Sequence, residues 1–123
     1  MDESFGRTMD DFYCDEVLAG RHAIETVLET DDVLAFHHTR PAYEKHIVVI
    51  PKHHVPSFVD LGSSSEDVLL SVLQAVRRLA GSMLEQEGAC RVITNLGRYQ
   101  DSKHLHFHVV SGERLTDQHT WTG

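Results

Sequence analysis

The sequence predicts an α+β fold, an antiparallel sheet of about five strands carrying one long helix, with a short helix at the N-terminus. Three observations predict it. Apolar residues recur at helical spacing over only one long stretch, Leu69, Val72, Leu73, Val76, Leu79, Ala80 and Met83. The other apolar segments are short, rich in β-branched residues and bounded by turn residues, which is how strands read. They do not alternate with helical segments as a parallel, doubly wound sheet demands, so the sheet is antiparallel and the helix packs on one of its faces.

Each element has a local reason. Phe12 to Leu18 is amphipathic and stops at Gly20, giving a helix of about two turns. Val27-Leu28-Glu29 and Val33-Leu34-Ala35-Phe36 flank Thr30-Asp31-Asp32, a hairpin in which the acidic pair supplies the turn chemistry. Residues 39 to 44 contain Pro41 and form a loop; His46 to Ile50 is almost continuously apolar, a buried strand that Pro51 ends. Ser63 and Glu66 have capping-box spacing ahead of the long helix, which Gly88 closes. Arg91 to Asn95 is a further strand, Leu96 to Lys103 a polar connector, and His104 to Val110 the last strand. The domain therefore occupies residues 11–112, between a polar, acidic tail (1–10) and a C-terminal tail (113–123) that holds the only tryptophan, Trp121.

With 123 residues, 41% of them hydrophobic, the chain can bury a core without a disulfide or structural metal. Its net charge of -8 argues against a nucleic-acid polymer or an anionic membrane as partner, since either selects a clustered basic surface. A small anion remains compatible, because its site is made positive locally by histidines and backbone N–H groups. Cys14 and Cys90 form no CxxC, which suits a reducing compartment, and Met1-Asp2-Glu3-Ser4 has neither a basic nor an apolar leader. A cytoplasmic protein away from the membrane is expected.

Eight of the ten histidines fall into three groups: His37/His38, His46/His53/His54 and His104/His106/His108. In the last group the alternation His104-Leu105-His106-Phe107-His108 puts three imidazoles on one face of an extended chain and the apolar residues on the other. Same-face neighbours lie roughly 6.5–7 Å apart, close enough to surround one phosphate-sized group. Neutral imidazole is a nucleophile near neutral pH and imidazolium a partner for phosphate oxygens, so the pattern suits phosphoryl or nucleotidyl transfer. His106, flanked by donors on both sides, is the natural attacker; His104 and His108 then hold oxygens or protonate the leaving group. A metal site completed by His46 or His54 is the competing reading, and a solvated strand face the bland one.

His104-Leu105-His106-Phe107-His108-Val109-Val110 also resembles the histidine triad (HIT) family, whose signature is His-φ-His-φ-His-φ-φ. The hairpin at 28–36, the stretch from His46 to His54, and Asn95-Leu96-Gly97 with Gln100 are similar to other ordered motifs of that family. The resemblance implies an antiparallel sheet with one long helix, assembled as a homodimer, and a phosphoramidase-like activity. By that resemblance His106 attacks the α-phosphorus of a purine nucleotide ester, anhydride or phosphoramidate, while His108, His46 and His104 contact oxygens, serve the leaving group or brace the site. Asn95 and Gln100, with Ser102, bind phosphate; Tyr13, Phe36, His37 and His38 line the nucleoside pocket. No metal or cofactor is implied. Two positions depart from the family's pattern. His38 stands where nucleotide-binding members usually have an Asp that accepts the ribose hydroxyls, and Asp101 stands where a Ser or Thr commonly follows the Gln, with Ser102 one place later. These departures keep open a nucleotide-binding sensor or adaptor with little turnover, and a zinc-binding module stands third.

Overall fold

A computed structural model describes residues 23–115. Five strands, β1 (Glu25–Glu29), β2 (Val33–His37), β3 (Tyr43–Pro51), β4 (Arg91–Ile93) and β5 (Phe107–Arg114), form one antiparallel sheet in the order β1-β2-β3-β5-β4. Among these residues one long helix, α1 (Glu66–Glu87), crosses between β3 and β4, and a 3-10 turn spans Gly97–Tyr99. The expected short helix at 12–18 and Tyr13 lie outside the described residues.

Register explains the two faces of the sheet. Opposite pairs Ala35↔Val49 and Val49↔Phe107 put Val33, Ala35, Val49, Phe107 and Val109 on the face covered by α1, where Val72, Ala75, Val76, Leu79 and Met83 meet them. Each is an alternate residue of its strand, so the intervening residues must project from the opposite face. There Leu34, Phe36, Val48 and Ile50 form a second buried apolar cluster, and His46 and His108 share its parity. The helix has the 3.6-residue period that covers such a sheet, and no helix among the described residues is long and apolar enough to cross a membrane.

Several boundaries differ from the sequence reading. The helix N-cap is Ser65 rather than Ser63, and it makes no side-chain cap hydrogen bond, so the Ser63/Glu66 capping box does not form. Gly88 does end the helix, in the left-handed conformation (φ 82°), with its N–H donating to the Leu84 carbonyl at 2.8 Å. In the β1–β2 turn the hydroxyl of Thr30, not the acidic pair, accepts the N–H groups of Asp32 and Val33. Asp32 instead accepts a hydrogen bond from His53. β3 begins at Tyr43, inside the expected loop, because a bulge in β5, with residues 112 and 113 facing Glu44 alone, lets the chain pair before His46. At φ 86° Gly112 adopts a backbone few side chains tolerate, and a Cβ there would run into Glu44. β4 ends two residues early, and β5 runs on to Arg114.

Candidate active site

The largest departure concerns the triad itself. β5 begins at Phe107, so of the three histidines only His108 is a strand residue. His104 and His106 precede it in a segment stitched to the chain that follows β3, rather than laddered to a strand. The Leu105 N–H donates to the Val55 carbonyl at 2.6 Å, the Gln100 amide to the Pro56 carbonyl at 2.7 Å, and the Thr94 hydroxyl to the His106 carbonyl at 2.8 Å. The alternation survives because Leu105 and Phe107 are pinned in the helix-side core, which leaves the imidazoles no other side.

Hydrogen bonds set the protonation pattern of four rings. His104 Nε2–H donates to the Pro51 carbonyl at 2.9 Å. His106 donates its Nδ1–H to the His104 carbonyl at 2.8 Å, so in the neutral ring the lone pair is on Nε2. His46 is the diagonal cross-strand neighbour of His108, and its Nδ1 accepts the Ala42 N–H at 3.0 Å. Its proton is therefore on Nε2, which donates to His108 Nδ1 at 2.9 Å. That bond in turn leaves the His108 proton on Nε2. A lone pair on His106 thus sits beside an N–H on His108, with ring centroids 4.9 Å apart and the rings perpendicular.

Electrostatics keep the supporting pair neutral. Burial, then the neighbouring His38 and His106, push the His46 pKa down to about 3. Burial first, and then His106, His46 and His38, hold His108 well below the usual histidine range. His106 is only 1% exposed, and its Nε2 is buried, as is that of His108.

The remaining sequence candidates are placed as follows. Phe36 is buried in the apolar cluster beside the imidazoles. His38 extends the β2–β3 pairing through its N–H to the His46 carbonyl at 2.9 Å, and its ring lies 4.4 Å from that of His46. His37 does not join them. It pairs with Ile47 on the helix side of the sheet and is exposed, so strand parity separates it from Phe36. Gln100 and Ser102 are buried, Asn95 half-buried and Asp101 exposed, so the carboxylate that would repel a phosphate is turned to solvent. Sequence reasoning missed the groups that hold the imidazoles: the Ala42 N–H, the Pro51 and His104 carbonyls and the Thr94 hydroxyl. Only Thr94, next to Asn95, carried a signal, a β-branched donor at the end of a strand.

The same bonds bear on a cation site. His38, His46 and His108 each offer a ring nitrogen, all within 4.8 Å of one another. A metal-bound imidazole must give its lone pair to the ion and keep its proton on the other nitrogen. Here the Nδ1 atoms of His38 and His46 both accept backbone N–H groups, from Arg40 at 2.9 Å and Ala42 at 3.0 Å. Their Nε2 atoms therefore carry protons, and the cluster presents two donors and one acceptor. It does not fit a divalent cation. His54, the other candidate ligand, is exposed and sets its ring edge-on to His104.

The HIT domain pattern matches residues 20–115. This chain belongs to the HIT family. The HIT chain is 34% identical over 105 residues to an uncharacterized 13.2 kDa HIT-like protein of Azospirillum brasilense, covering 80% of this chain and 84% of that one. It is 37% identical over 92 residues to the bifunctional adenosine 5'-phosphosulfate phosphorylase/adenylylsulfatase HINT4 of Arabidopsis thaliana, covering 69% of this chain and 60% of that protein. Among solved structures, a histidine triad protein from Clostridium difficile superposes with a TM-score of 0.70 at 31% identity, over 89% of this chain and 96% of that one. The HIT fold, a five-stranded antiparallel sheet with one long helix, is thus shared across that alignment.

Proposed function

We propose that this HIT protein is a nucleotide hydrolase or nucleotidyltransferase that acts at the α-phosphate of a nucleoside phosphoramidate, ester or anhydride through a covalent nucleotidyl-His106. The observation that carries the reading is the pair of fixed tautomers, a lone pair on His106 Nε2 beside a proton on His108 Nε2. His106 Nε2 attacks phosphorus and the bond from phosphorus to the leaving group breaks; the His108 Nε2–H hydrogen-bonds the departing nitrogen or oxygen, which takes its proton from solvent, so His108 stays a neutral imidazole. Water then attacks the same phosphorus, the bond from phosphorus to His106 Nε2 breaks and returns the lone pair, and the water's proton goes to solvent.

In this reading His46 keeps His108 in the required tautomer and His104 braces the segment through Pro51. Gln100, Asn95 and backbone N–H groups hold phosphoryl oxygens, and Phe36 with its apolar neighbours forms the nucleoside wall. Adenosine 5'-phosphoramidate is the first substrate to assay, with adenosine 5'-phosphosulfate second because of the Arabidopsis relative's name. Release of AMP that drops by about 10^4-fold in His106→Ala, with adenylylated protein trapped by acid quench and located on His106, is the expected result. Turnover undiminished by that substitution refutes the covalent mechanism.

The buried Nε2 atoms favour one second reading, a nucleotide-binding sensor or adaptor that seldom turns over. It is distinguished by tight AMP binding without hydrolysis of either substrate.

A further inference from the structure

The β4–β5 ladder consists of the pairs Arg91↔Val110, Val92↔Val109 and Ile93↔His108, and β4 lies at the edge of the sheet. That is the short end for a strand, with few backbone bonds of its own. A hydroxyl clasps each end. At one, Ser111 donates to the Ala89 carbonyl at 2.7 Å; at the other, Thr94 donates to the His106 carbonyl at 2.8 Å. The two bonds are alike in chemistry, and only the second grips a residue of the site.

The Thr94 bond stands in place of a backbone rung. Continued by two residues, the register would set Asn95 opposite His106, but β4 stops at Ile93 and β5 begins at Phe107. Because a side-chain hydroxyl takes the His106 carbonyl, the backbone of Asn95 need not, and the chain turns away toward the 3-10 turn at Gly97 and to Gln100 beyond it. Thr94 therefore touches the nucleophile's own peptide and is joined directly to Asn95. His106 has other anchors as well: its Nδ1–H on the His104 carbonyl at 2.8 Å, the Leu105 N–H on the Val55 carbonyl at 2.6 Å, and Phe107 in the helix-side core. These preserve the fold and the tautomer without Thr94. What the hydroxyl adds is a fixed orientation of the peptide that follows His106.

We propose that Thr94 is a positioning residue for the nucleophile: by holding the His106 carbonyl it fixes the reach of His106 Nε2 to phosphorus and ties that atom to the segment beginning at Asn95. That role rests on the nucleotide reading above. A misplacement of about 1 Å in an attacking group costs about 100-fold in rate. The grip on the bound nucleotide is spread over many contacts, so Thr94 acts on kcat rather than on KM.

In Thr94→Val, which keeps the branched shape and removes the donor, kcat for adenosine 5'-phosphoramidate is expected to fall about tenfold or more, with KM within about twofold. The single-turnover appearance of adenylylated His106 after acid quench should slow by the same factor. Thr94→Ser should return kcat to within about threefold of wild type, and Thr94→Cys, a weak donor, should lie between Ser and Val. Ser111→Ala is the control for a clasp that is only structural: its Tm should fall by about as much as that of Thr94→Val, a few degrees, with kcat within about twofold of wild type. An unchanged kcat in Thr94→Val overturns the proposal, as does a loss no greater than in Ser111→Ala or one that Ser fails to restore. If Thr94→Val does not fold, the other pair decides: kcat at least about threefold lower in Cys than in Ser supports the role, and equal values refute it. A wild-type protein that hydrolyses neither adenosine 5'-phosphoramidate nor adenosine 5'-phosphosulfate defeats the covalent reading and this inference together. The other negative outcomes, found with an active wild type, defeat this inference alone.

Discussion

The two faces of the central sheet are built from alternate residues of the same strands, yet they answer to different physics. On β3 and β5 the helix-side residues Val49, Phe107 and Val109 are hydrocarbon packed on α1, while His46, Val48 and His108, of the other parity, face the other way. On the helix side stability comes from area removed from water and from close packing, and any residue of suitable volume serves. On the other side two buried imidazoles are held by single directed hydrogen bonds, and each ring's chemistry depends on which nitrogen its neighbour leaves protonated. β3 and β5 therefore pack hydrocarbon on α1 with odd residues and place His46 and His108 with even ones.

Substitutions on the two faces should separate these roles. The largest effect is the loss of about 10^4-fold in turnover for His106→Ala, with the thermal transition little changed. Next, Phe107→Ala should destabilise the fold by about 4 kcal/mol in denaturant titration, while the folded fraction keeps its specific activity. A loss of activity beyond the loss of folded protein would show that the faces are not independent. His46→Ala removes the acceptor for the Ala42 N–H and the donor to His108, so a loss of about 2 kcal/mol is expected together with a fall in kcat. His46→Leu, similar in volume, should recover part of the stability and none of the activity.

The smallest effect is in the pH profile of stability. Between the folded value of about 3 for His46 and its ordinary value of 6.5, the unfolded chain binds more protons than the native one. Stability is therefore complete above about pH 6.5 and declines as the pH falls toward 3, with a slope of at most about 1.4 kcal/mol per pH unit for this group. His108, shifted in the same direction by burial, steepens the decline. Urea titrations at several pH values should show a shallower slope in His46→Leu; an identical slope would mean that buried imidazoles do not set the acid limit.

Elements with a strong local signature were legible before any coordinates. The period of α1, its glycine stop, the succession of strands along the chain and the clustering of histidines all follow from residue type and spacing. Elements decided by partners were not. Alternation alone starts β5 at His104, whereas the backbone bonds of Leu105 and His106 go to Val55 and to the Thr94 hydroxyl rather than to a ladder. His37 and His38 look equivalent side by side, and only pairing with β3 shows that they project to opposite faces.

What the sequence determined by itself was a pattern of side chains along an extended backbone, three imidazoles on one side and hydrocarbon on the other, because alternation is a property of the chain. Tertiary structure alone decided which nitrogen of each ring is a donor. That depends on an N–H from Ala42, a carbonyl from Pro51 and a ring from a neighbouring strand, groups far apart in sequence that meet only when β3 and β5 pair.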